Sequence, residues 1–280
     1  MSETRLYIAP AKINLGLEIL RRRDDADDGS SGYHELRTIL YRVLEPHDVM
    51  RVTPSEFFRF TCSDVSLPTD ERNLVMRAAR LFADSYGLDL PPMHVHLEKR
   101  IPMGAGLGGG SSDAATMLRI LKDAMFPPGA TAQMDTSKIG ADVPFFYSGA
   151  KAALATGIGE VLTPIEMDLA SSILIVFDPT IHVSTREAYA GLDPKKFRTS
   201  ELTAHPNLQR GGGVRNDFEP SIFASNQRLA MIKELMYDRG AHFSLMTGSG
   251  SAIFGLFADI SLAREAQRRF VGEGLLAFLS

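Results

Sequence analysis

The sequence predicts a protein that mixes strands and helices and is not built on a doubly wound parallel sheet. Three observations carry this. Near the start, Ile13, Leu15, Leu17 and Ile19 alternate with Lys12, Asn14, Gly16 and Glu18, the period of a strand with one apolar face. Further on, Leu74, Ala78, Leu81 and Phe82 recur at helical spacing, as do Ala114, Ala115, Leu118, Leu121 and Met125. Between those helices His94-Val95-His96-Leu97-Glu98 alternates, whereas a central parallel strand is apolar on both faces.

Taken in order, Arg5 to Ala9 reads as a short strand. After Pro10 comes the period-two strand, on which Lys12 and Asn14 share a polar face opposite the core. Arg21 to Ser31 is dense in charge and turn formers and reads as a loop. Leu36 to Leu44, Asp48 to Thr53 and Phe57 to Cys62 read as three strands parted by Pro46 and Pro54. Asn73 to Tyr86 is a helix ended by Gly87. Met93 to Lys99 is a half-exposed strand, and Ser111 to Met125 a helix. Lys151 to Thr156 and Ser172 to Phe177 are strands, the latter stopped by Asp178-Pro179. Lys195 to Arg215 lacks periodicity and contains three consecutive glycines, so it reads as a mobile loop or lid, with Gly211 to Gly213 a flexible linker. Ser221 to Arg239 and Ala263 to Phe270 read as helices, and Phe243 to Met246 and Ala252 to Phe257 as strands around a glycine turn. The composition shifts near Gly157, which places a division between 1–156 and 157–280.

The 280 residues are 44% hydrophobic and 23% charged, which excludes a disordered chain, and the net charge of −4 argues against nucleic-acid binding. No apolar run reaches the ~18 residues of a membrane span. With a single cysteine, Cys62, no intrachain disulfide can form; together with a start unlike a signal peptide, this leads to a cytoplasmic expectation.

The glycines carry the first functional signal. Pro102-Met103-Gly104-Ala105-Gly106-Leu107-Gly108-Gly109-Gly110-Ser111-Ser112 follows a strand and opens a helix. Glycines permit positive φ and close approach of a ligand to the backbone. A helix start offers unpaired N–H groups and the positive end of the dipole. This is an anion site suited to a polyphosphate. It is not a P-loop, because no Gly-Lys-Ser/Thr follows.

At these residues the chain resembles the GHMP kinase superfamily. Ala9-Pro10-Ala11-Lys12-Ile13-Asn14-Leu15 is similar to its first motif, Pro102 to Ala115 to its ATP loop, and Met246-Thr247-Gly248-Ser249-Gly250-Ser251 to its third. Gly32-Tyr33-His34-Glu35-Leu36, Ile139 to Phe146, Gly157-Ile158-Gly159-Glu160 and Asn216-Asp217-Phe218-Glu219 resemble the branch whose substrate is a methylerythritol linked to cytidine diphosphate. The resemblance implies an α+β fold of two domains, an N-terminal ATP-binding domain (1–156) and a C-terminal substrate-side domain (157–280), with the active site in the cleft between them. It implies transfer of the ATP γ-phosphoryl group to the substrate's 2-hydroxyl in isoprenoid precursor synthesis, with Mg²⁺, by a monomer or homodimer that needs neither nucleic acid nor membrane.

The resemblance also implies roles. Asp142 becomes the general base, and Lys12 stabilises charge or keeps Asp142 ionised. Lys99 lies near the adenine. Pro102, Met103, Gly104, Ala105, Gly106, Leu107, Gly108, Gly109, Gly110, Ser111 and Ser112 hold the nucleotide, Ser112 as a phosphate or Mg²⁺ contact; no protein carboxylate is assigned to the metal. Asn14, Tyr33, His34, Asp142, Thr185 and Tyr189 meet the substrate, with Tyr33 and Tyr189 stacking on the base and His34 bonding its edge. Two alternatives stay open. A homoserine-kinase type would not need the Gly-Tyr-His element. A binding protein that kept the fold without catalysis would not need Lys12, Asp142 and the glycine loop together. His94 and His96 share a strand face that could bind a metal, but no third ligand is spaced for it. Cys62 reads as a small packed residue.

Overall fold

The computed structural model describes residues 3–23, 32–130 and 133–280. Most of the loop expected over 21–31 therefore lies outside the described residues. The elements are β1 (Arg5–Arg22), β2 (His34–Pro54), β3 (Arg59–Cys62), α1 (Leu74–Tyr86), β4 (Met93–Glu98), α2 (Gly109–Met125), α3 (Val143–Ser148), β5 (Ala152–Thr156), β6 (Val161–Pro164), β7 (Ser172–Phe177), α4 (Thr185–Ala190), α5 (Glu219–Ser225), α6 (Gln227–Asp238), β8 (Phe243–Met246), β9 (Ile253–Phe257), α7 (Ile260–Gly272) and β10 (Leu276–Leu279). Among the described residues no helix is long and apolar enough to cross a membrane.

The chain forms two compact units, and neither is a continuous half. One comprises Met1–Ala11, His47–Ile101 and Gly108–Ala150; the other comprises Lys12–Pro46, Pro102–Leu107 and Lys151–Ser280. A single cut between 156 and 157 does not reproduce them. The reason lies in the long strands, since β1 and β2 each supply residues to both units.

In the first unit, β4 pairs in parallel with β3 and antiparallel with the second half of β2, so that Val95 stands beside both Phe60 and Val52. Its alternation is realised: Met93, Val95 and Leu97 are buried, while His94 and His96 face the other way. Both histidines hydrogen-bond the Thr61 hydroxyl, at 2.7 and 2.8 Å. Helix α1 begins where Asn73 accepts a hydrogen bond from Val75 N–H and ends on Gly87 in the left-handed region, with φ 61°. It packs against α2, which also touches α3.

In the second unit, β10-β7-β9-β8 form an antiparallel sheet. Helix α6 packs on β8 and β9, and α7 on β7 and β10. Leu17, Ile19, Leu36, Leu174, Phe218, Phe257 and Phe270 belong to its apolar core. The first half of β2 pairs with β5, and β5 with β6.

Several expectations change. Pro10 does not interrupt β1, whose one strand neighbour in the sheets of the described residues is β2; an edge position tolerates a residue with no N–H. Pro46 does not divide β2 either. The helix expected over 221–239 is two helices, because Asn226 has extended backbone (φ −135°, ψ 72°) and α5 ends there, with Ser225 hydroxyl and Asn226 amide both donating to Ile222 C=O. Helix α2 starts at Gly109, two residues early. Short α3, α4, β6 and β10 had no readable period. The largest correction concerns β1. From Ala9 to Ile19 every residue is buried, including Lys12, Asn14 and Glu18, so the polar face does not look onto solvent.

Candidate functional site

The polar face of β1 is satisfied by partners from distant segments of its unit. Lys12 Nζ donates to Asn14 Oδ1 at 2.7 Å, and Asn14 Nδ2 donates to Thr38 Oγ1 at 2.8 Å. Thr38 in turn donates to Gly16 C=O at 2.6 Å. Asn14 N–H donates to Thr247 Oγ1 at 3.1 Å, and the Thr247 hydroxyl lies 3.2 Å from Asn14 Oδ1 and 3.3 Å from Gly106 C=O. A buried ammonium and amide held in this way have defined directions, which is what a site needs and what a solvated lysine lacks.

The glycine segment divides at Leu107. Its first part lies along the Met246–Ser251 turn of the same unit: Ser251 N–H donates to Gly104 C=O and Ala252 N–H to Ala105 C=O, at 3.3 and 3.2 Å. Lys12 N–H donates to Leu107 C=O at 3.0 Å. Gly106 has φ 73°, and a Cβ there would sit 2.2 Å from Thr247 C=O, so glycine is required by packing as well as by backbone conformation. The third glycine motif is held from behind by Asn216, whose amide donates to Met246 C=O and Gly248 C=O at 2.7 and 2.8 Å.

The second part, Gly108 to Ser112, starts α2 in the other unit. Gly108 is left-handed at φ 72°, and no side chain caps this helix start. Ser112 Oγ is fully buried and has no hydrogen-bond partner. An uncapped helix start beside an unsatisfied hydroxyl fits a phosphate group, which accepts from both. A Cβ on Gly140 would lie 3.7 Å from Ser111 Oγ, so the Gly140–Val143 turn adjoins this start. Asp142 occupies the N-cap position of α3, yet its side chain makes no capping hydrogen bond.

Lys99 is neither a surface lysine nor open to a ligand at its ammonium. Its side chain is 6% exposed, and Nζ bridges Asp48 Oδ2 at 2.5 Å and Asp113 Oδ2 at 2.9 Å. Asp48 Oδ1 also accepts from Arg100 N–H and, at 2.8 Å, from Ile101 N–H. One ammonium cannot neutralise two buried carboxylates. Burial pushes the Asp113 carboxyl up to about 8, with Lys99 pulling down and Asp48 pushing further up. Burial works against the Lys99 charge, but Asp113 and Asp48 outweigh it and raise its pKa. The triad ties β2, through Asp48, and the end of β4, through Lys99, to the N-terminal part of α2, through Asp113.

The expected base contacts are only partly assembled. His34 stacks on Tyr189 with ring centroids 4.9 Å apart, and Phe197 meets His34 edge-on at 5.9 Å. Tyr33 is 56% exposed and has no ring partner among the described residues. Thr185, at the start of α4, has its hydroxyl 3.3 Å from Ser249 Oγ. Sequence reasoning missed Thr38, Asp48, Asp113 and Phe197 as members of these clusters. Asp113 lies within the Pro102 to Ala115 stretch, so it carried a signal; Thr38, Asp48 and Phe197 carried none. Among the described residues no group of three or more histidine, cysteine or acidic side chains could hold a metal ion.

Residues 73–150 match the family model for the GHMP kinases N terminal domain, and 202–274 the one for the GHMP kinases C terminal. A 4-diphosphocytidyl-2-C-methyl-D-erythritol kinase from Solidesulfovibrio magneticus is 40% identical over 99% of this chain and 97% of its own. One from Salinibacter ruber is 40% identical over 92% of each chain. A crystal structure of 4-(cytidine 5'-diphospho)-2C-methyl-D-erythritol kinase superposes with a TM-score of 0.80 at 36% identity, covering 98% of both chains. A homoserine kinase structure from Cytophaga hutchinsonii shares the fold, with a TM-score of 0.68, 15% identity and coverage of 100% of this chain and 94% of that one.

The triad generates a stability prediction. Asp113 takes up a proton on folding between its ordinary value of 3.8 and about 8. Stability from this site is thus full below pH ~4 and falls as pH rises through about 8. Asp113→Asn keeps the shape without the proton. Its melting temperature should match that of the parent near pH ~4 and lose the parent's decline between pH ~4 and about 8. An equal decline in both proteins would show that Asp113 does not carry the proton.

Proposed function

Because this chain belongs to the 4-diphosphocytidyl-2-C-methyl-D-erythritol kinase family of GHMP kinases, we propose that it transfers the γ-phosphoryl group of ATP to the 2-hydroxyl of 4-diphosphocytidyl-2-C-methyl-D-erythritol. The observation that carries this reading is that the likeness runs the length of the chain, through every segment that supplies the residues below.

Gly108 to Ser112 bind the nucleotide phosphates through the uncapped N–H groups of α2 and the Ser112 hydroxyl. Pro102, Met103, Gly104, Ala105, Gly106 and Leu107 shape the approach to them. Lys99 serves the nucleotide indirectly, since its ammonium is committed to Asp48 and Asp113; its part is to fix the start of α2. The phosphates held by Gly108 to Ser112 would carry Mg²⁺, which when bound would neutralise part of their charge. Asp142 accepts the proton of the 2-hydroxyl as that oxygen attacks phosphorus. Lys12, aimed by Asn14, supplies positive charge to the transferring group. Asn14 also meets the substrate's polyol. His34, Tyr189 and Tyr33 receive the cytosine, and Thr185 contacts the substrate diphosphate. Nucleotide recognition falls largely to residues within 1–156 and substrate recognition to 157–280, with Asn14, Tyr33 and His34 joining the substrate side. The protein acts in the cytoplasm as a monomer or homodimer.

Two variants test the assignment in an ADP-release assay. Asp142→Asn should lower kcat by roughly 10²–10⁴ while leaving ATP affinity nearly intact; an unchanged kcat would remove Asp142 from the chemistry. Tyr33→Ala should chiefly raise the KM for the cytidyl substrate, consistent with loss of ~1–3 kcal/mol of stacking. A change confined to the KM for ATP would place Tyr33 elsewhere.

A further inference from the structure

We propose that Phe197 is a specificity-determining wall of the cytosine pocket and that Glu18 is the positioning residue that holds it there. The proposal rests on the cytidyl-substrate reading above and deepens it. Glu18 is buried on β1, and a buried carboxylate persists only when its oxygens are satisfied. Its partners come from the segment expected to be a free lid. Glu18 Oε2 accepts from the Ser200 hydroxyl and from Glu201 N–H and Leu202 N–H at 3.1 and 3.2 Å. Glu18 Oε1 pairs with Arg215 Nη1 at 3.0 Å. Arg215 Nε reaches Asp217 Oδ1 at 2.9 Å, and Asp217 Oδ2 accepts from Ile19 N–H at 2.7 Å. Leu202 then fills the space over Gly16, where a Cβ would lie 2.8 Å from Leu202 Cδ1. Both ends of the 200–215 segment are thus fastened to β1.

Phe197 stands three residues ahead of this clamp. On one side its ring edge meets His34, which is stacked on Tyr189. On the other it lines a cavity of about 350 Å³, with Leu192, Arg198 and Pro220 among the other walls. Phe197 packs partly buried against the core of its unit, and with open space on its other side its position depends also on the backbone that carries it. The Glu18 clamp is the nearest set of hydrogen bonds on that backbone beyond the short 3₁₀ turn at Pro194–Lys196. If the clamp loosens, Phe197 can retreat into the cavity and the third side of the aromatic group opens.

The test uses the full chain with cytidine 5′-diphosphate as probe, followed by calorimetry, with tryptic cleavage at Lys195, Lys196 and Arg198 as a second readout. Glu18→Gln should weaken binding of the probe about tenfold, leave ATP binding unchanged and speed cleavage at those three sites. Phe197→Leu should weaken the probe to the same degree without changing the cleavage rate, a separation that a merely structural role of Glu18 would not produce. Parent-like probe binding in both variants would overturn the proposal while leaving the kinase reading in place. A parent protein that binds no cytidine 5′-diphosphate would overturn both. Should Glu18→Gln fail to fold, parent-like binding by Phe197→Leu alone would still overturn it.

Discussion

A strand buried on both faces has to find partners for whatever polar residues it carries, and β1 carries three: Lys12, Asn14 and Glu18. Each would cost several kcal/mol if left unsatisfied. The partners come from positions far along the chain: Thr38 on β2, Thr247 in the last glycine turn, and Ser200 to Leu202 with Arg215 in the long connection. Satisfying this one face therefore fixes where several otherwise irregular segments lie. Glycine at 16 and at 106 belongs to the same constraint, because Leu202 and Thr247 occupy the space a side chain would need.

The first unit solves a similar problem around α2. Its start carries no capping side chain, which in the proposed reading leaves its N–H groups to a phosphate. It is held from within instead, by Asp113 one residue beyond Ser112, through Lys99 to Asp48. An unsatisfied Ser112 hydroxyl above a fully engaged Lys99 separates the two tasks of this turn. In the proposed reading the first is left for the ligand while the second fixes the geometry, the arrangement of a preorganised binding site.

Much of this was legible in the sequence because it follows from local rules. Asn73 and Gly87 bounded α1 as cap chemistry requires, and the His94–Glu98 alternation gave a half-buried strand. The glycine motif pointed to a helix start that is in fact uncapped. What was not legible depends on tertiary pairing. Period two in β1 shows that Lys12 and Glu18 share a face, but not whether that face meets water or protein. A low-periodicity loop looks mobile until the carboxylate that fastens it is known, and Glu18 lies 182 residues from Ser200. Asp48 had no motif, and Phe197 stood in a segment with no period. The division into units was hidden because β1 and β2 run through both.

Phosphorylation of an alcohol linked to cytidine diphosphate is a specificity that the fold alone does not decide, since a homoserine kinase shares that fold. The most direct measurement follows ADP release by the pure protein with MgATP and either 4-diphosphocytidyl-2-C-methyl-D-erythritol or homoserine. Steady turnover is expected with the first and only background with the second. Turnover on homoserine with none on the cytidyl substrate would contradict it.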